Sequence, residues 1–475
     1  MNIHNIRLAL GAAAVLGSVA LAAQAARQPD WAALDRETLQ HFQALLRIDT
    51  SSPPGNETRA AEYLKAVLDK EGIPAQLLAL EPDRANLVAR IKGNGKKRPL
   101  LLMGHTDVVS VDPAKWKFPP FGAVRDGGYI YGRGSLDDKP HVVSGLMAIL
   151  MLKRLAIPLD RDVIFLAEAG EEGGSNVGIN FMVDRHFSDI DAEYCLAETG
   201  GVDLVGGKPQ AAYIQVLEKH ARTIELTARG TSGHASAPLQ SNAIVHLAAA
   251  ITAVTTWQPP VRLSETTTRY FTQLANIVPP QEAARYRAAV KPETSAGAAA
   301  FAYFLKEQPS LASMLHSSIS PTIVNGGYRV NVIPSEAKAT LDVRMLPDED
   351  PDQFLVALRK VVNDPAVDVS FGARVVRPRS TQTASLNSEA YKAVEAAYTR
   401  HYDAAAIPAL STGGTDMAQM RSKNVQCLGI GPGVDVADEQ KGFGAHADQE
   451  RILENELYRF VHFQWDVVTD LAKAK

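Results

Sequence analysis

The sequence predicts an α/β fold in which a discontinuous three-layer domain is interrupted by a smaller α+β domain. From about residue 85 to residue 200, short apolar runs that suit buried parallel strands alternate with segments of helical periodicity. This alternation changes near residue 220 and returns after residue 380. A chain of 475 residues is also longer than one hydrophobic core usually organises, so we expect two domains.

The first part of the larger domain is predicted over residues 27–219. Proline and glycine mark the ends of its helices, as at Gly72 after the second helix. The predicted helices are 31–46, 57–71 and 141–155, and the predicted strands are 85–91, 100–103, 163–167 and 193–197. Strands and helices that alternate in this way form a sheet covered by helices.

The smaller domain is predicted over residues 220–378, and its order β-α-β-β-α-β indicates a ferredoxin-like arrangement. Its predicted strands are 223–229, 328–333, 340–345 and 367–376, and its predicted helices are 242–257 and 350–362. We interpret the polar stretch 259–320 as an insertion into this domain. Residues 379–475 then return to the larger domain, with a helix at 387–402, a strand at 425–430 and a long helix from about residue 450.

The composition is typical of a globular protein, with 46% hydrophobic residues, 21% charged residues and a net charge of −4. This small and dispersed negative excess does not suit a surface that binds nucleic acid or a polybasic patch that binds membranes. We therefore expect a small molecule or a peptide as the partner.

The first 25 residues predict a secretory signal peptide. Arg7 precedes an apolar, alanine-rich run from Leu8 to Ala23, and a small-x-small sequence that ends at Ala25 is typical of a cleavage site. An uncleaved membrane anchor is the alternative, but the run is short for a spanning helix of ~20 residues. We expect a periplasmic or secreted protein without stable membrane insertion after cleavage.

The chain has two cysteines, Cys195 and Cys427, which excludes a scaffold stapled by many disulfides. Both lie in apolar, strand-like runs, so buried free thiols are favoured. A bridge between the two remains the alternative.

Acidic and histidine side chains follow several of the predicted strands. The apolar run 163–167 leads to the adjacent carboxylates Glu171 and Glu172, and the run 100–103 leads to His105 and Asp107. A histidine at the end of a buried strand can bind a metal through one ring nitrogen while a carboxylate fixes the ring through the other. Each motif taken alone is more often an ordinary polar turn.

Three further side chains complete a larger pattern. Asp137 lies in the glycine-containing turn 132–139, Glu198 follows the strand 193–197, and His446 lies in a loop before the last helix. A carboxylate placed between two cations can bridge them. The mixed nitrogen and oxygen set suits two Zn²⁺ ions, and the sequence leaves Co²⁺ or Mn²⁺ open as substitutes; its members are His105, Asp137, Glu172, Glu198 and His446.

In order and spacing, these motifs resemble those of the dinuclear zinc metallopeptidases and amidohydrolases. That family includes carboxypeptidase G, aminoacylase, acetylornithine deacetylase, succinyl-diaminopimelate desuccinylase and carnosine dipeptidase. The resemblance runs from about Trp31 to the C-terminus and is most specific at 104–107, 132–139 and 171–173. It implies a zinc-hydrolase catalytic domain and a smaller lid domain that often dimerises, which would make this protein a homodimer.

The resemblance also implies roles for individual residues. His105 and Glu198 would hold one zinc ion, Glu172 and His446 would hold the other, Asp137 would bridge them, Asp107 would orient His105, and Glu171 would be the general base. In the lid, His234 corresponds to a histidine that stabilises the reaction oxyanion, often from the partner subunit. Asn331 and Arg344 correspond to residues that hold the substrate, with Arg344 on its carboxylate, and Gly414 and Thr415 belong to a glycine-rich substrate loop.

The predicted function is an exported metal-dependent hydrolase that cleaves an amide bond next to a free carboxylate, as a carboxypeptidase or a dipeptidase. An N-acyl-amino-acid amidohydrolase is the alternative, because the sequence does not distinguish a peptide from an N-acyl bond. A non-catalytic periplasmic protein that binds a metal or peptide is a remote alternative, disfavoured because Glu171 is present. The sequence lacks the Gly-x-Ser-x-Gly and His-Glu-x-x-His motifs of other hydrolases.

Overall fold

A ten-stranded sheet organises most of the described protein, which in this computed structural model is residues 28–173, 175–372 and 383–475. The predicted signal peptide and the end of the predicted strand 367–376 lie outside the described residues. The strands are β1 Ser51–Ser52, β2 Ala75–Ala79, β3 Ala85–Ile91, β4 Leu100–His105, β5 Val108–Val109, β6 Val124–Asp126, β7 Tyr129–Tyr131, β8 Val163–Glu168, β9 Tyr194–Ala197, β10 Gly201–Val205, β11 Lys208–Glu218, β12 His220–Arg229, β13 Gly233–His234, β14 Ser318–Gly326, β15 Val332–Ile333, β16 Glu336–Met345, β17 Val367–Phe371, β18 Ala406–Ser411, β19 Gln426–Gly429, β20 Gly433–Asp435 and β21 Arg451–Leu453.

Fifteen α-helices and one short 3-10 helix accompany these strands in the described ranges. The α-helices are α1 Trp31–Leu46, α2 Glu57–Lys70, α3 Lys139–Arg154, α4 Ile179–Arg185, α5 Phe187–Ile190, α6 Ala243–Thr256, α7 Glu265–Leu274, α8 Pro280–Ala289, α9 Ser295–Glu307, α10 Pro309–Ser313, α11 Pro351–Val362, α12 Glu389–Tyr402, α13 Met417–Ser422, α14 Val436–Gln440 and α15 Glu454–Ala472. None of the described helices has both the length and the apolar character that a membrane crossing requires.

The large sheet has the order β2-β3-β8-β4-β9-β19-β11-β10-β20, and β18 also pairs with β11. Its centre is parallel, because β4 pairs in parallel with β8 and β9, and β9 pairs in parallel with β19. The apolar runs of β4, β8 and β9 are buried along their whole length, as in a sheet covered on both faces. The carboxyl ends of these strands therefore meet at one edge of the sheet.

Helix α3 is the most deeply buried helix beside this edge. Its residues from Lys139 to Leu152 are all buried, and it packs against β4, α1 and α15. Gly145 allows the helix to lie close to the sheet, since a Cβ at this position would be 2.6 Å from the ring of Phe165. At the start of α3, the Asp138 carboxylate accepts a hydrogen bond of 3.2 Å from the backbone N–H of His105. The loop before α3 is thereby fixed at the end of β4.

The smaller sheet is antiparallel, in the order β14-β16-β12-β17. Helices α6 and α11 pack against it around apolar residues that include Ile224, Leu341 and Phe354. The elements follow one another as β-α-β-β-α-β, but the position predicted for the second strand, 328–333, is wrong. That strand is β14, an exposed edge strand without the alternation of buried and exposed residues that marks a half-buried strand.

The segment 259–320, which we interpreted as an insertion into the smaller domain, packs with the larger domain instead. Helix α7 packs on the large sheet, where it contacts β11 and β18, while α8 packs on α7, α9 on α8 and α10 on α9. Their apolar faces belong to the core of the larger domain through Tyr270, Phe271, Tyr286 and Phe304. The amphipathic pattern of these helices encodes a buried face but does not encode which sheet will cover it, so the assignment from sequence failed.

Lys219 ties together two places where the chain passes between the sheets. It lies between β11 and β12, and its buried ammonium donates hydrogen bonds to the Ser313 and His316 carbonyl oxygens and to the Ser318 hydroxyl, at 2.8 to 3.0 Å. Burial lowers the pKa of Lys219 to about 7. The two crossings therefore share one buried polar contact.

The expectation of free thiols is confirmed. Cys195 on β9 and Cys427 on β19 are buried and unbridged, and they occupy opposite positions in adjacent parallel strands.

Candidate functional site

The predicted metal ligands converge at the edge where the parallel strands end. His105 is the last residue of β4, and Glu198 follows β9 directly. Glu172 lies in the loop after β8, the strand between β3 and β4. Asp137 precedes α3, and His446 belongs to the loop before β21. A sheet edge of this kind brings together residues that are distant in sequence.

Two groups of potential ligands share one carboxylate. The first consists of His105, Asp137 and Glu198, and the second consists of Asp137, Glu172 and His446. Within each group, the ligand atoms all lie within 4.8 Å of one another. The sharing of Asp137 places the two groups side by side.

The distances show how the two groups meet. In the first group, His105 Nε2 lies 2.8 Å from Asp137 Oδ1 and 3.9 Å from Glu198 Oε2. In the second group, His446 Nε2 lies 2.7 Å from Glu172 Oε1 and 3.1 Å from Asp137 Oδ2. Each oxygen of Asp137 thus faces a different histidine, which is the arrangement a bridging carboxylate needs.

The two imidazoles supply positive charge to this cluster. Hydrogen bonds to Asp137 and Glu172 raise the pKa of His446 to about 10. Burial disfavours charge on His105, but its hydrogen bonds to Asp107 and Asp137 outweigh burial, so its pKa lies well above the usual value. Burial likewise favours the neutral form of Asp137, yet the two histidines hold the pKa of this carboxyl well below its usual range.

Glu198 shows the opposite effect. Burial, together with the charges of Glu171 and Asp137, raises the pKa of Glu198 well above its usual value. The carboxylates are therefore more crowded than two imidazoles can neutralise. Two nitrogen and three carboxylate donors with a surplus of negative charge fit a pair of divalent cations.

Asp107 makes more contacts than its predicted role requires. His105 Nδ1 lies 3.0 Å from the Asp107 carbonyl oxygen and 3.5 Å from its carboxylate. The two carboxylate oxygens also accept the backbone N–H groups of Glu171 and Glu172, each at 3.1 Å. Asp107 thus orients the His105 ring and fixes the loop that carries both glutamates.

Glu171 lies beside the ligand groups but belongs to neither of them. Its charge contributes to the raised pKa values of Glu198 and of Glu168, the last residue of β8. The side chain is half-buried. It is therefore close to the cluster, as a general base must be.

Two residues that the sequence reasoning missed hold the Asp137 loop. Glu450 is fully buried and forms an ion pair of 2.7 Å with Arg133, which is also buried. The Glu450 carboxylate accepts the backbone N–H groups of Gly134, Leu136 and Asp137 at 2.7 to 3.2 Å. An arginine inside a glycine-containing motif was the available signal, because a buried arginine needs a buried acid.

The predicted lid residues form a separate set. His234 on β13 pairs with Val332 on β15, and the Asn331 carbonyl oxygen accepts the N–H of Ala235 at 3.1 Å. Both predicted side chains are exposed, and His234 Nδ1 accepts a hydrogen bond from the backbone of Ser236. The structure therefore brings His234 and Asn331 together. Neither belongs to the two ligand groups found among the described residues.

Arg344 and the glycine-rich loop differ in their exposure. Arg344 on β16 makes a two-pronged contact with Asp342, at 2.7 and 3.1 Å, and keeps 34% of its side chain exposed. Gly414 is exposed, but Thr415 is buried and donates its hydroxyl to Glu218 at 2.7 Å. The Thr415 side chain is engaged inside the core, and the substrate roles of Gly414 and Thr415 stay predictions.

Comparison with known proteins gives the family. The chain is 26% identical over 388 residues to the probable carboxypeptidase S-like 2 of Dictyostelium discoideum, covering 79% of this chain and 72% of that protein. It is 25% identical over 396 residues to aminoacylase-1 of Mus musculus, covering 82% of this chain and 86% of that protein. The crystal structure of an M20 family metallo-carboxypeptidase from Sulfolobus solfataricus superposes with a TM-score of 0.69 at 23% identity, covering 91% of this chain and 98% of that chain.

These similarities confirm the predicted α/β fold class and the resemblance drawn from the motifs. Residues 101–469 match the profile of peptidase family M20/M25/M40, which is well over half of the chain. The chain therefore belongs to peptidase family M20/M25/M40 and is a hydrolytic enzyme that acts on peptide or acyl-amide bonds.

Proposed function

We propose that this protein is an exported, dinuclear metal-dependent hydrolase that cleaves an amide bond next to a free carboxylate, as a carboxypeptidase or a dipeptidase. The observation that carries the proposal is the pair of ligand groups that share Asp137 beside Glu171. Export rests on the signal peptide predicted over residues 1–25. An N-acyl-amino-acid hydrolase is the second candidate, because aminoacylase-1 is among the relatives.

The proposed metal ions would be held by the two groups already described, with zinc as the preferred identity. When bound, two divalent cations lower the pKa of water to about 7 and polarise the substrate carbonyl. Glu171 then takes the proton of the attacking water and delivers it to the leaving amine nitrogen. Asp107 keeps Glu171 in place through the backbone hydrogen bond described above.

The lid would add two contacts to the substrate. His234 would donate to the developing oxyanion, an effect worth about 3 kcal/mol for one well-placed donor. Arg344 would hold the substrate carboxylate through a charge-assisted contact, and Asn331 would hold the substrate beside it. Since His234 is exposed and outside the ligand groups in this structure, its action requires closure of the lid or a lid from a partner subunit.

Metal binding should release protons. His446, whose pKa is raised to about 10, is protonated at neutral pH without metal and must lose its proton to become a ligand. The affinity for Zn²⁺ should therefore rise with pH between about 6 and 9, roughly tenfold per pH unit for each proton released. Calorimetric titration of the metal-free protein in two buffers with different heats of ionisation measures the proton count.

The matched control is His246→Gln, which removes a histidine paired with Asp364 at 2.6 Å in the smaller domain. It should leave the proton count unchanged, whereas His446→Gln should lower both the proton count and the affinity. Zinc binding without proton release would contradict the assignment of His446 as a ligand.

Glu171→Gln should separate catalysis from metal binding. The variant should keep both metal ions and lose about 10²- to 10⁴-fold in kcat, because the base that moves the proton is gone. The neighbouring Glu172→Gln should instead weaken metal binding. Metal content by atomic absorption and turnover on a panel of dipeptides, longer peptides and N-acyl amino acids measure both effects. Near-normal turnover of a metal-loaded Glu171→Gln would refute its role as the base.

Arg344→Ala should raise KM for substrates with a free carboxylate by about 10- to 100-fold, in keeping with the loss of one charged hydrogen-bond partner. Substrates with an amidated C-terminus should be unaffected. Lys338→Ala, a change at an exposed cation on the same strand, is the control. Steady-state kinetics on matched free and amidated substrates provides the measurement, and equal losses on both would remove the anchoring role.

We also propose that the protein is a homodimer through its smaller domain. Edge strand β14 and helix α6 present Ile323, Val324, Ile244 and Val245 to solvent, and each is at least 43% exposed. Exposed apolar residues along an unpaired strand edge favour association with another copy. Val324→Lys should therefore give a monomer in analytical ultracentrifugation, while Val356→Lys on α11 should not. A monomeric wild-type protein at micromolar concentration would contradict the proposal.

A further inference from the structure

A cavity of about 420 Å³ lies between the large sheet and the helices of the segment 259–320. Its volume is in the range of sites that bind small ligands. Strands β10, β11 and β18 form one wall, and helices α7 and α10 form the opposite wall. None of the proposed metal ligands lines it, so it is separate from the metal-ligand cluster.

The strand wall carries polar groups on one face. Tyr213 pairs with Gly201 across β10 and β11, and Asp203 pairs with Ala211, so Asp203 and Tyr213 project from the same side of the sheet. Gln215, two residues beyond Tyr213, lies on that side as well. The Tyr213 hydroxyl lies on the same side of the sheet as the Asp203 carboxylate and favours its charged form.

The helical wall is mainly apolar. Leu311 and Met314 line it beside Tyr270, whose ring stacks on that of Tyr213 with centroids 6.0 Å apart. These side chains suit the aliphatic part of a ligand rather than its charged end.

One end of the cavity borders the metal-ligand cluster. Thr199, the residue after Glu198, lines this end together with Ser411 and Thr412, which precede the exposed Gly413 and Gly414. The Thr199 hydroxyl donates to Gln215 at 2.6 Å.

Asp203 has no cationic partner among the described residues. No lysine, arginine or histidine in the described ranges forms an ion pair with it, and its polar contact is the neutral Tyr213 hydroxyl. Burial raises the pKa of Asp203, and the nearby Glu439 adds further negative charge. Asp203 is half-buried, and a half-buried carboxylate without a cation costs free energy that a cationic ligand would recover.

From this charge, depth and position we infer that the cavity binds the cationic side chain of a substrate, with Asp203 as its counterion and the wall around Tyr270 and Met314 covering its aliphatic stem. The chemistry recognised is an ammonium or guanidinium group on an apolar stem, as in lysine and arginine. The inference rests on the proposed amide hydrolysis and adds a specificity for basic residues beside the scissile bond.

The test compares peptides that carry lysine or norleucine at each of the two positions flanking the scissile bond, with free or acetylated α-amino groups. Metal-loaded wild-type enzyme should prefer lysine at one position by at least tenfold in kcat/KM. Asp203→Asn should abolish this preference and leave norleucine substrates within about twofold, because a neutral isostere keeps the shape of the cavity. Asp368→Asn, at an exposed carboxylate on β17, controls for the change in net charge.

A wild-type enzyme without a preference for lysine overturns the inference. An equal loss of kcat/KM on the lysine and norleucine peptides in Asp203→Asn overturns it as well. A requirement for a free α-amino group in place of the lysine side chain overturns it too. A second variant, Leu311→Trp, fills the cavity from its helical wall and should lower activity on lysine substrates while sparing glycine substrates.

A binding experiment separates this inference from the proposed function. Calorimetric titration of the wild-type protein should show tighter binding of n-butylamine than of 1-butanol, and Asp203→Asn should remove the difference. If no amide is cleaved but the amine preference is present, the proposed function fails and the cationic site stands. Equal binding of the two probes overturns the cationic site whatever the enzyme hydrolyses.

Discussion

The repulsion among carboxylates gathered around Asp137 is the constraint on which the rest of this structure depends. Asp137 faces His105 with one oxygen and His446 with the other, while Glu172 and Glu198 lie close by. Such a cluster is held only if its backbone supports are rigid and buried. The Arg133–Glu450 pair provides that support, because the Glu450 carboxylate accepts three backbone N–H groups of the loop that ends in Asp137. Because Glu450 lies in the C-terminal part of the chain, that part must return to the larger domain for the loop to be held.

The parts of the structure that could be predicted from the sequence are those that a pattern in the neighbouring residues identifies. His105 and Glu198 each follow a short apolar run that is buried over its whole length, and such runs fix where parallel strands end. The ends of the strands in a parallel sheet share one edge. The ligands could therefore be predicted to lie close together even though the order of the strands was unknown. The structure brings that set together as expected, while the roles of its members stay predictions.

The parts that could not be predicted depend on distant partners. Nothing near Glu450 distinguishes it from a surface glutamate at the start of a helix, yet it is fully buried against Arg133. Strand β14 was misplaced because an exposed edge strand has no burial pattern to detect. Helices α7 to α10 carry a clear apolar face, but Phe271 and Phe304 could have packed on either sheet. Thr415 looked like a loop residue, and only its contact with Glu218 shows that it is buried.

The placement of these helices separates two kinds of substrate contact. The walls of the cavity, from β10 and β11 to α7 and α10, belong to the core of the larger domain, so the cavity exists whatever the position of the smaller domain. His234 and Arg344 belong to the smaller domain, and in the function proposed above they would reach the substrate only when that domain closes over the cluster. A preformed cavity costs little ordering on binding, whereas closure must be driven by binding energy. A substrate whose side chain fits beside Asp203 would thus be held at the cluster before the lid contacts form, and selection by side chain would precede selection by carboxylate.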